Sequence, residues 1–165
     1  MSLERLWADW RSAYVSSADA ERDQAGCVIC NLVGATDDAE ALVLERTTET
    51  ITVMNLFPYG SGHLMVAPVQ HAAAFDDLDD DVNVAIARAQ VRALQAIRAA
   101  YRPDGANVGA NLGKAAGAGV PGHLHVHVLP RWNGDTNFMT SIAEARVLPE
   151  ALRTGYEKLK SVWPG

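Results

Sequence analysis

Three histidines at strict two-residue spacing stand in the segment GHLHVHVLPRW, residues 122–132. They are His123, His125 and His127, in a chain that has five histidines in all. Histidine titrates near neutral pH, ligates metals and acts as a nucleophile toward phosphorus. The grouping of these rings indicates a chemical site rather than a strand whose polar face happens to be histidine.

The spacing predicts how these side chains are arranged. If residues 123–129 form a strand, alternate side chains point to opposite faces, with same-face Cα atoms about 6.5 Å apart. The three histidines then share one face. The apolar residues between them enter the core from the other face: Leu124, Val126 and Val128.

A glycine-rich stretch, NLGKAAGAGVPG at residues 111–122, directly precedes the histidines. Glycine permits tight turns whose backbone N–H groups converge on phosphate oxygens, and Lys114 would add a positive charge. The stretch is not a P-loop, because no Gly-Lys-Ser/Thr sequence enters a helix. A plain turn between two strands is the alternative to a phosphate-binding loop.

Cys27 and Cys30 are separated by two residues, which is the spacing of half a tetrahedral zinc site. A redox-active pair and two unliganded buried cysteines are the alternatives. The redox reading is disfavoured because the sequence after Cys30 does not predict a helix that follows a strand.

The residues of this site must be positioned by helices and strands, and the pattern of these elements in the sequence predicts an α+β fold, an antiparallel sheet with helices packed against it. Apolar and β-branched runs predict strands at 41–46, 49–57, 63–69, 106–112 and 123–130, whereas 23–40 looks irregular and turn-rich. Helical spacing predicts helices over 3–15, from the acidic stretch 76–81 to just before Pro103, and over about 149–163.

Bulk properties restrict the function further. A chain of 165 residues with 48% hydrophobic residues suits one domain over residues 1–165, and its net charge of −6 disfavours a nucleic-acid polymer as partner. The first residues do not resemble a signal peptide, and no stretch is apolar enough to span a membrane. With two cysteines, a cytoplasmic location is expected.

The segment HLHVHVL resembles the signature of the histidine triad family, in which three histidines alternate with apolar residues. MNLFPYGSGHLMVAPVQH and NVGANLGKAAGAG resemble the family's segments upstream, so the likeness covers about residues 25–140. The chain is most similar to the fragile-histidine-triad branch and its bacterial relatives. That resemblance implies a homodimer whose two sheets join, with two nucleotide sites.

The resemblance also implies roles for individual residues. His125 matches the nucleophile that attacks the α-phosphorus, His127 a donor to the phosphate oxygens, and His63 a buried histidine behind the triad. The substrate-binding positions match Asn55 for the ribose, Asn111 opposite the nucleophile, and Gly117 and Gly119 in the phosphate loop. The loop lacks the glutamine and hydroxyl side chains common in the family, and it is one residue longer.

In many family members two histidines complete a zinc site with the cysteine pair. The matching positions are His71 and His123, so the resemblance implies structural zinc on Cys27, Cys30, His71 and His123. Four protein ligands leave no open coordination position for water. Magnesium is expected only as a companion of the nucleotide substrate.

The expected function is cleavage of dinucleoside polyphosphates, such as diadenosine tri- or tetraphosphate, at the α-phosphorus. It would pass through a covalent nucleotidyl-histidine intermediate, released to water by a hydrolase. A phosphorylase that uses phosphate as acceptor is the first alternative. The second is a nucleotide-binding interaction protein with incidental phosphoramidase activity.

Overall fold

The computed structural model describes residues 26–135 and 150–164, so the predicted helix over 3–15 lies outside the described residues. A five-stranded antiparallel sheet has the order β1-β2-β3-β5-β4. Its strands are β1 Val43–Arg46, β2 Thr50–Met54, β3 Leu64–Pro68, β4 Gly105–Gly109 and β5 Val126–Arg131. The helices are α1 Val28–Gly34, α2 Asp80–Tyr101 and α3 Leu152–Lys160. The predicted α+β class is confirmed.

Helices α2 and α3 cover one face of the sheet. The buried positions of α2 recur at helical spacing, and they pack with Leu64, Val66 and Val128 of the sheet: Ile86, Ala89, Ala93, Ala96 and Ile97. Arg102 closes α2 in the left-handed conformation, with φ 47°, just before Pro103. This layer forms the larger of the two cores and holds β5 rigidly from behind.

Helix α1 lies against the opposite face, within residues 23–40, for which the sequence predicts irregular, turn-rich structure. That prediction is wrong at residues 28–34, where Ile29, Leu32 and Val33 pack on a second cluster that includes Val43 and Ile51. A seven-residue helix is marginal by itself, so tertiary contacts decide its formation. They place the two cysteines beside the histidine-bearing end of the sheet.

Strand β5 starts at Val126, so the expectation that residues 123–129 form one continuous strand is only partly correct. Val126 pairs with Val66 of β3, and continuing that register would set Leu124 against Pro68. Proline has no backbone N–H to extend the ladder. Leu124 instead donates its N–H to the carbonyl of Ala72, at 2.6 Å.

Strand β4 forms one edge of the sheet, and all five of its residues are exposed. It ends at Gly109, earlier than the predicted 112. The C-terminal helix is also shorter than predicted and docks through Tyr156 and Leu159, both buried. Within residues 26–135 and 150–164, no helix is long and apolar enough to cross a membrane.

Candidate functional site

The three histidines lie on one face of the sheet, as the alternation predicts. The apolar residues between them, Leu124, Val126 and Val128, belong to the core under α2. His127 pairs instead with Met65, which packs on the smaller cluster of the opposite face. His123 is 1% exposed and His125 5% exposed. His127 is partly buried, and its ring centroid is 5.1 Å from that of His125.

The hydrogen bonds of His63 fix its tautomer. The backbone N–H of Tyr59 donates to Nδ1 of His63 at 2.9 Å, so this nitrogen carries a lone pair. The proton of the neutral ring is therefore on Nε2, which donates to Nδ1 of His127 at 2.9 Å. It follows that a neutral His127 carries its own proton on Nε2 and presents that atom as a donor.

Burial keeps His127 neutral. Desolvation, and secondly the proximity of His125, lower the pKa of His127 from 6.5 to about 4. His63 is fully buried beside it, and the ring of Tyr59 is 5.5 Å away. At neutral pH this arrangement provides an uncharged N–H donor at a fixed position.

His125 is held in the opposite tautomer. Its Nδ1 lies 2.9 Å from the backbone carbonyl oxygen of His123, which can only accept. Nδ1 therefore carries the proton, and the lone pair of the ring lies on Nε2. A histidine in this state can attack an electrophilic phosphorus through Nε2 without first losing a proton.

An open cavity of about 350 Å³ lies beside His127, the last histidine of the row. His127 and Asn111 contribute to its wall together with residues of β4, β5 and the loop before β3: Tyr59, Asn107, Val108, Gly109, Ala110 and Leu129. Its volume is within the range of small-molecule sites. The cavity therefore gives a ligand access to the donor of His127.

The glycine-rich stretch is a compact loop rather than an extended turn. Lys114–Ala116 form a single 3₁₀ turn, and Gly117 follows with φ 84°, a conformation that favours glycine. The side-chain amide of Asn111 donates to the carbonyl of Gly117 at 3.4 Å, which joins the loop to the cavity wall. Lys114 is exposed on this loop. Asn55 directly follows β2, with its amide nitrogen 3.4 Å from Nδ1 of His63.

A second group of side chains gathers around His123. The ligand atoms of Cys27, Cys30, His71 and His123 all lie within 4.8 Å of one another, although the residues are far apart in the sequence. The Cys27 Sγ–His123 Nδ1 distance is 3.3 Å and the Cys30 Sγ–His71 Nδ1 distance is 3.2 Å. The structure thus brings together the four residues that the resemblance implied as metal ligands.

The donor set fits zinc. Two thiols and two imidazoles form a common tetrahedral site. Nε2 of His123 lies 2.9 Å from the carbonyl oxygen of Pro68 and so donates to it, which leaves the Nδ1 lone pair facing the cysteines. Among the described residues this is the one group of three or more potential ligand side chains, and nothing in them supports magnesium.

Two participants in the site were not predicted. Tyr59 sets the tautomer of His63 through its backbone N–H and also lines the cavity. Pro68 orients His123 through its backbone carbonyl. Backbone groups leave no side-chain pattern in a sequence, although the position of Tyr59 between Asn55 and His63 was a clue that this loop matters.

The chain matches the HIT domain family model over residues 36–134. It is also 38% identical to a Mycobacterium tuberculosis protein named AP-4-A phosphorylase, across 98% of this chain and 85% of that protein. The chain belongs to the HIT domain family. The family and this relative identify the chain as a nucleotide-processing enzyme, the class that the sequence predicted.

Two further relatives are informative. A solved zinc-bound histidine triad family protein from Mycobacterium smegmatis is 26% identical, with a TM-score of 0.68 over 84% of this chain and 93% of that one. The adenosine 5'-monophosphoramidase hnt1 of Schizosaccharomyces pombe is 25% identical over 82% of this chain and 96% of that protein. The fold and the family are therefore supported from both sequence and structure.

Proposed function

We propose that the protein cleaves dinucleoside polyphosphates by transferring a nucleotidyl group to Nε2 of His125. The observation that carries this proposal is the bond from Nδ1–H of His125 to the His123 carbonyl, which puts the ring's lone pair on Nε2. Attack on the α-phosphorus forms an N–P bond and breaks the bond to the bridging oxygen. From diadenosine tetraphosphate this releases ATP and leaves adenylyl-His125.

His127 and His63 serve that step as a hydrogen-bonded pair. Nε2–H of His127 would donate to an oxygen of the α-phosphate, where negative charge increases during displacement. His63 holds His127 in the required tautomer through the 2.9 Å bond between the rings. Because the pKa of His127 is lowered to about 4, it donates as a neutral ring at physiological pH.

The remaining predicted contacts would complete the same site. Asn55 would bind the ribose, and Asn111, which lines the cavity, would face the reacting phosphate. Backbone N–H groups of the loop containing Gly117 and Gly119, with the exposed charge of Lys114, would hold phosphate oxygens. Magnesium, where it takes part, would arrive bound to the polyphosphate.

Phosphate is the acceptor that we favour. Attack of phosphate on adenylyl-His125 forms a new P–O bond, releases ADP and regenerates the histidine, whereas water would release AMP. The 38% identity to the mycobacterial AP-4-A phosphorylase across nearly the whole chain supports phosphate. The backbone-lined loop supports it too, because it offers anion contacts without bulky side chains.

Zinc on Cys27, Cys30, His71 and His123 would act structurally. When bound, the ion would cross-link α1 to the segment that enters β5 and supply folding energy rather than a reactive water. His123 would then join both sites: its ring faces the metal ligands, and its carbonyl orients His125. The cytoplasm, where thiols stay reduced, suits such a site.

A homodimer formed through β4 completes the proposal. All five residues of this edge strand are exposed, and unpaired backbone groups at a sheet edge are a natural template for pairing with a second copy. Pairing there would join two sheets next to the cavity. Light scattering after gel filtration measures the molar mass of the protein in solution and so distinguishes a dimer from a monomer.

The test is to incubate the protein with diadenosine tetraphosphate, with and without millimolar phosphate, and to separate the nucleotides. Phosphorolysis predicts faster substrate loss with phosphate and products ATP plus ADP. Products that remain AMP plus ATP, at a rate independent of phosphate, would establish hydrolysis and refute the phosphate acceptor. The same histidine chemistry would still apply.

A second candidate is hydrolysis of adenosine 5'-monophosphoramidate, which the likeness to the S. pombe enzyme favours. A higher kcat/KM for the phosphoramidate than for diadenosine tetraphosphate would select it. Negligible turnover of both compounds, with tight nucleotide binding, would instead indicate an interaction protein.

A further inference from the structure

Strand β1 contains a bulge that turns one arginine toward the cysteine-bearing helix. Val43 pairs with Val53 but Glu45 pairs with Thr52, so Leu44 is an extra residue in β1. After the extra residue the alternation of faces is reversed. Arg46 therefore lies opposite Ile51, a member of the cluster under α1, instead of facing α2.

The guanidinium of Arg46 binds the C-terminal end of α1. Nη1 donates to the carbonyl of Val33 at 2.9 Å, and Nη2 donates to Leu32 and Ala35 at 2.9 and 3.1 Å. Nε donates to the carboxylate of Asp38 at 2.5 Å. One side chain thus satisfies three carbonyls at the helix end and is itself oriented by an acidic partner.

Helix α1 depends on such a contact. It has seven residues, its N-cap residue Cys27 makes no side-chain capping hydrogen bond, and its own last turn contains no basic residue. The last carbonyls of a helix lack partners within the helix, and a cation near them is favourable. Arg46 supplies that cation from the rigid sheet rather than from the helix itself.

We propose that Arg46 is a positioning residue for the metal site, and this inference rests on the proposed zinc binding. Cys27 directly precedes α1 and Cys30 lies in its first turn, so the placement of the helix sets both sulfur positions. His71 and His123 belong to other segments of the chain. By holding α1 on the sheet, Arg46 brings the cysteines to the histidines before any metal binds.

A matched control is available on the same strand. Arg92 of α2 makes bonds of 2.6 and 2.8 Å to Glu45, on the opposite face. Its side chain is 26% exposed, compared with 27% for Arg46. Arg46→Met and Arg92→Met thus remove arginines of nearly equal exposure, one that contacts α1 and one that is remote from it. A third variant, Arg46→Lys, keeps the positive charge but lacks the planar guanidinium group.

Two measurements separate positioning from a general loss of stability. The first is amide hydrogen exchange of residues 28–35, with the rate of thiol modification, in metal-free protein. The second is the rate at which zinc-loaded protein transfers its metal to a chelator. For Arg46→Met we expect both to accelerate by at least about tenfold relative to Arg92→Met, because several charged hydrogen bonds are lost. The rates for Arg46→Lys should lie between those of Arg46→Met and Arg92→Met.

Equal exchange and equal zinc release in Arg46→Met and Arg92→Met would overturn the inference. If both arginine variants unfold, the exchange of Arg46→Lys against wild type decides instead: unchanged protection of α1 would refute the role of the guanidinium. Wild-type protein that binds neither zinc nor cobalt would refute the proposed metal site, while the exchange measurement would still decide whether Arg46 places α1.

Discussion

Lowering the pH below 6.5 should destabilise the fold through His127, because its ring must be neutral in the native state. Burial and the neighbouring His125 lower its pKa from 6.5 to about 4, and Nδ1 already accepts the proton of His63. Protonating Nδ1 would place two N–H donors against each other. The unfolded chain has no such restriction, so it binds the proton first.

The size of this effect follows from the pKa difference. Between pH 6.5 and about 4 the unfolded chain binds a proton at residue 127 that the native protein does not, so stability falls as the pH falls. At 1.36 kcal/mol for each pH unit, this amounts to about 3 kcal/mol once the pH is below about 4. Above pH 6.5 the contribution is fully present and does not vary.

Urea unfolding at pH values from 7.5 to 4 measures this pH-dependent loss of stability, with His127→Asn as the matched variant. The Asn carbonyl takes the place of Nδ1 as acceptor for His63 but does not titrate. Subtracting the two curves cancels the other groups, including the metal ligands. We expect the wild type to lose about 3 kcal/mol more than the variant. Parallel curves, or a wild type that is stabilised by acid, would refute the assignment of a buried neutral His127.

Three other predictions concern single features. Gly62→Ala should destabilise the protein by about 1 to 3 kcal/mol in urea unfolding, because φ is +72° and a Cβ would lie 2.7 Å from the Tyr101 ring, whereas Gly105→Ala, with nothing within 4 Å, should change little. The pair Cys27→Ser and Cys30→Ser should remove bound zinc and lower Tm, whereas wild-type protein that contains no zinc as purified and has the same Tm as the variant would contradict the zinc proposal. His63→Phe should lower kcat by about 10- to 100-fold while nucleotide binding persists, and unchanged kcat would exclude a role for the His63–His127 bond.

The sequence was most informative where the periodic spacing of residues along a strand or helix determines which face each side chain occupies. Alternation placed the three histidines on one face and Leu124, Val126 and Val128 on the other, and the structure agrees. Likewise, apolar spacing located α2 to within a few residues. The grouping of Cys27, Cys30, His71 and His123 needed the family resemblance, because no local rule brings residues so distant in sequence together.

What the sequence did not reveal depends on pairing between segments. Helix α1, between Gly26 and Gly34, is too short to show a clear helical periodicity in the sequence. It forms because Ile29 packs against the sheet. The bulge at Leu44 is defined by the pairing of β1 with β2, which the sequence of β1 alone does not specify. The contact of Arg46 with α1 therefore could not be predicted from the sequence. Backbone partners, such as the N–H of Tyr59, have no side-chain signature.

The most direct test of the central claim is to trap the covalent intermediate. Wild-type protein would be mixed with diadenosine tetraphosphate in the absence of phosphate, quenched within one turnover, and digested for mass spectrometry of the peptide that contains residues 122–131. The proposed mechanism predicts one adenylyl group on His125, absent in His125→Ala, a variant that should still bind nucleotide but not turn it over. Efficient turnover with the group on another residue, or full activity in His125→Ala, would contradict it.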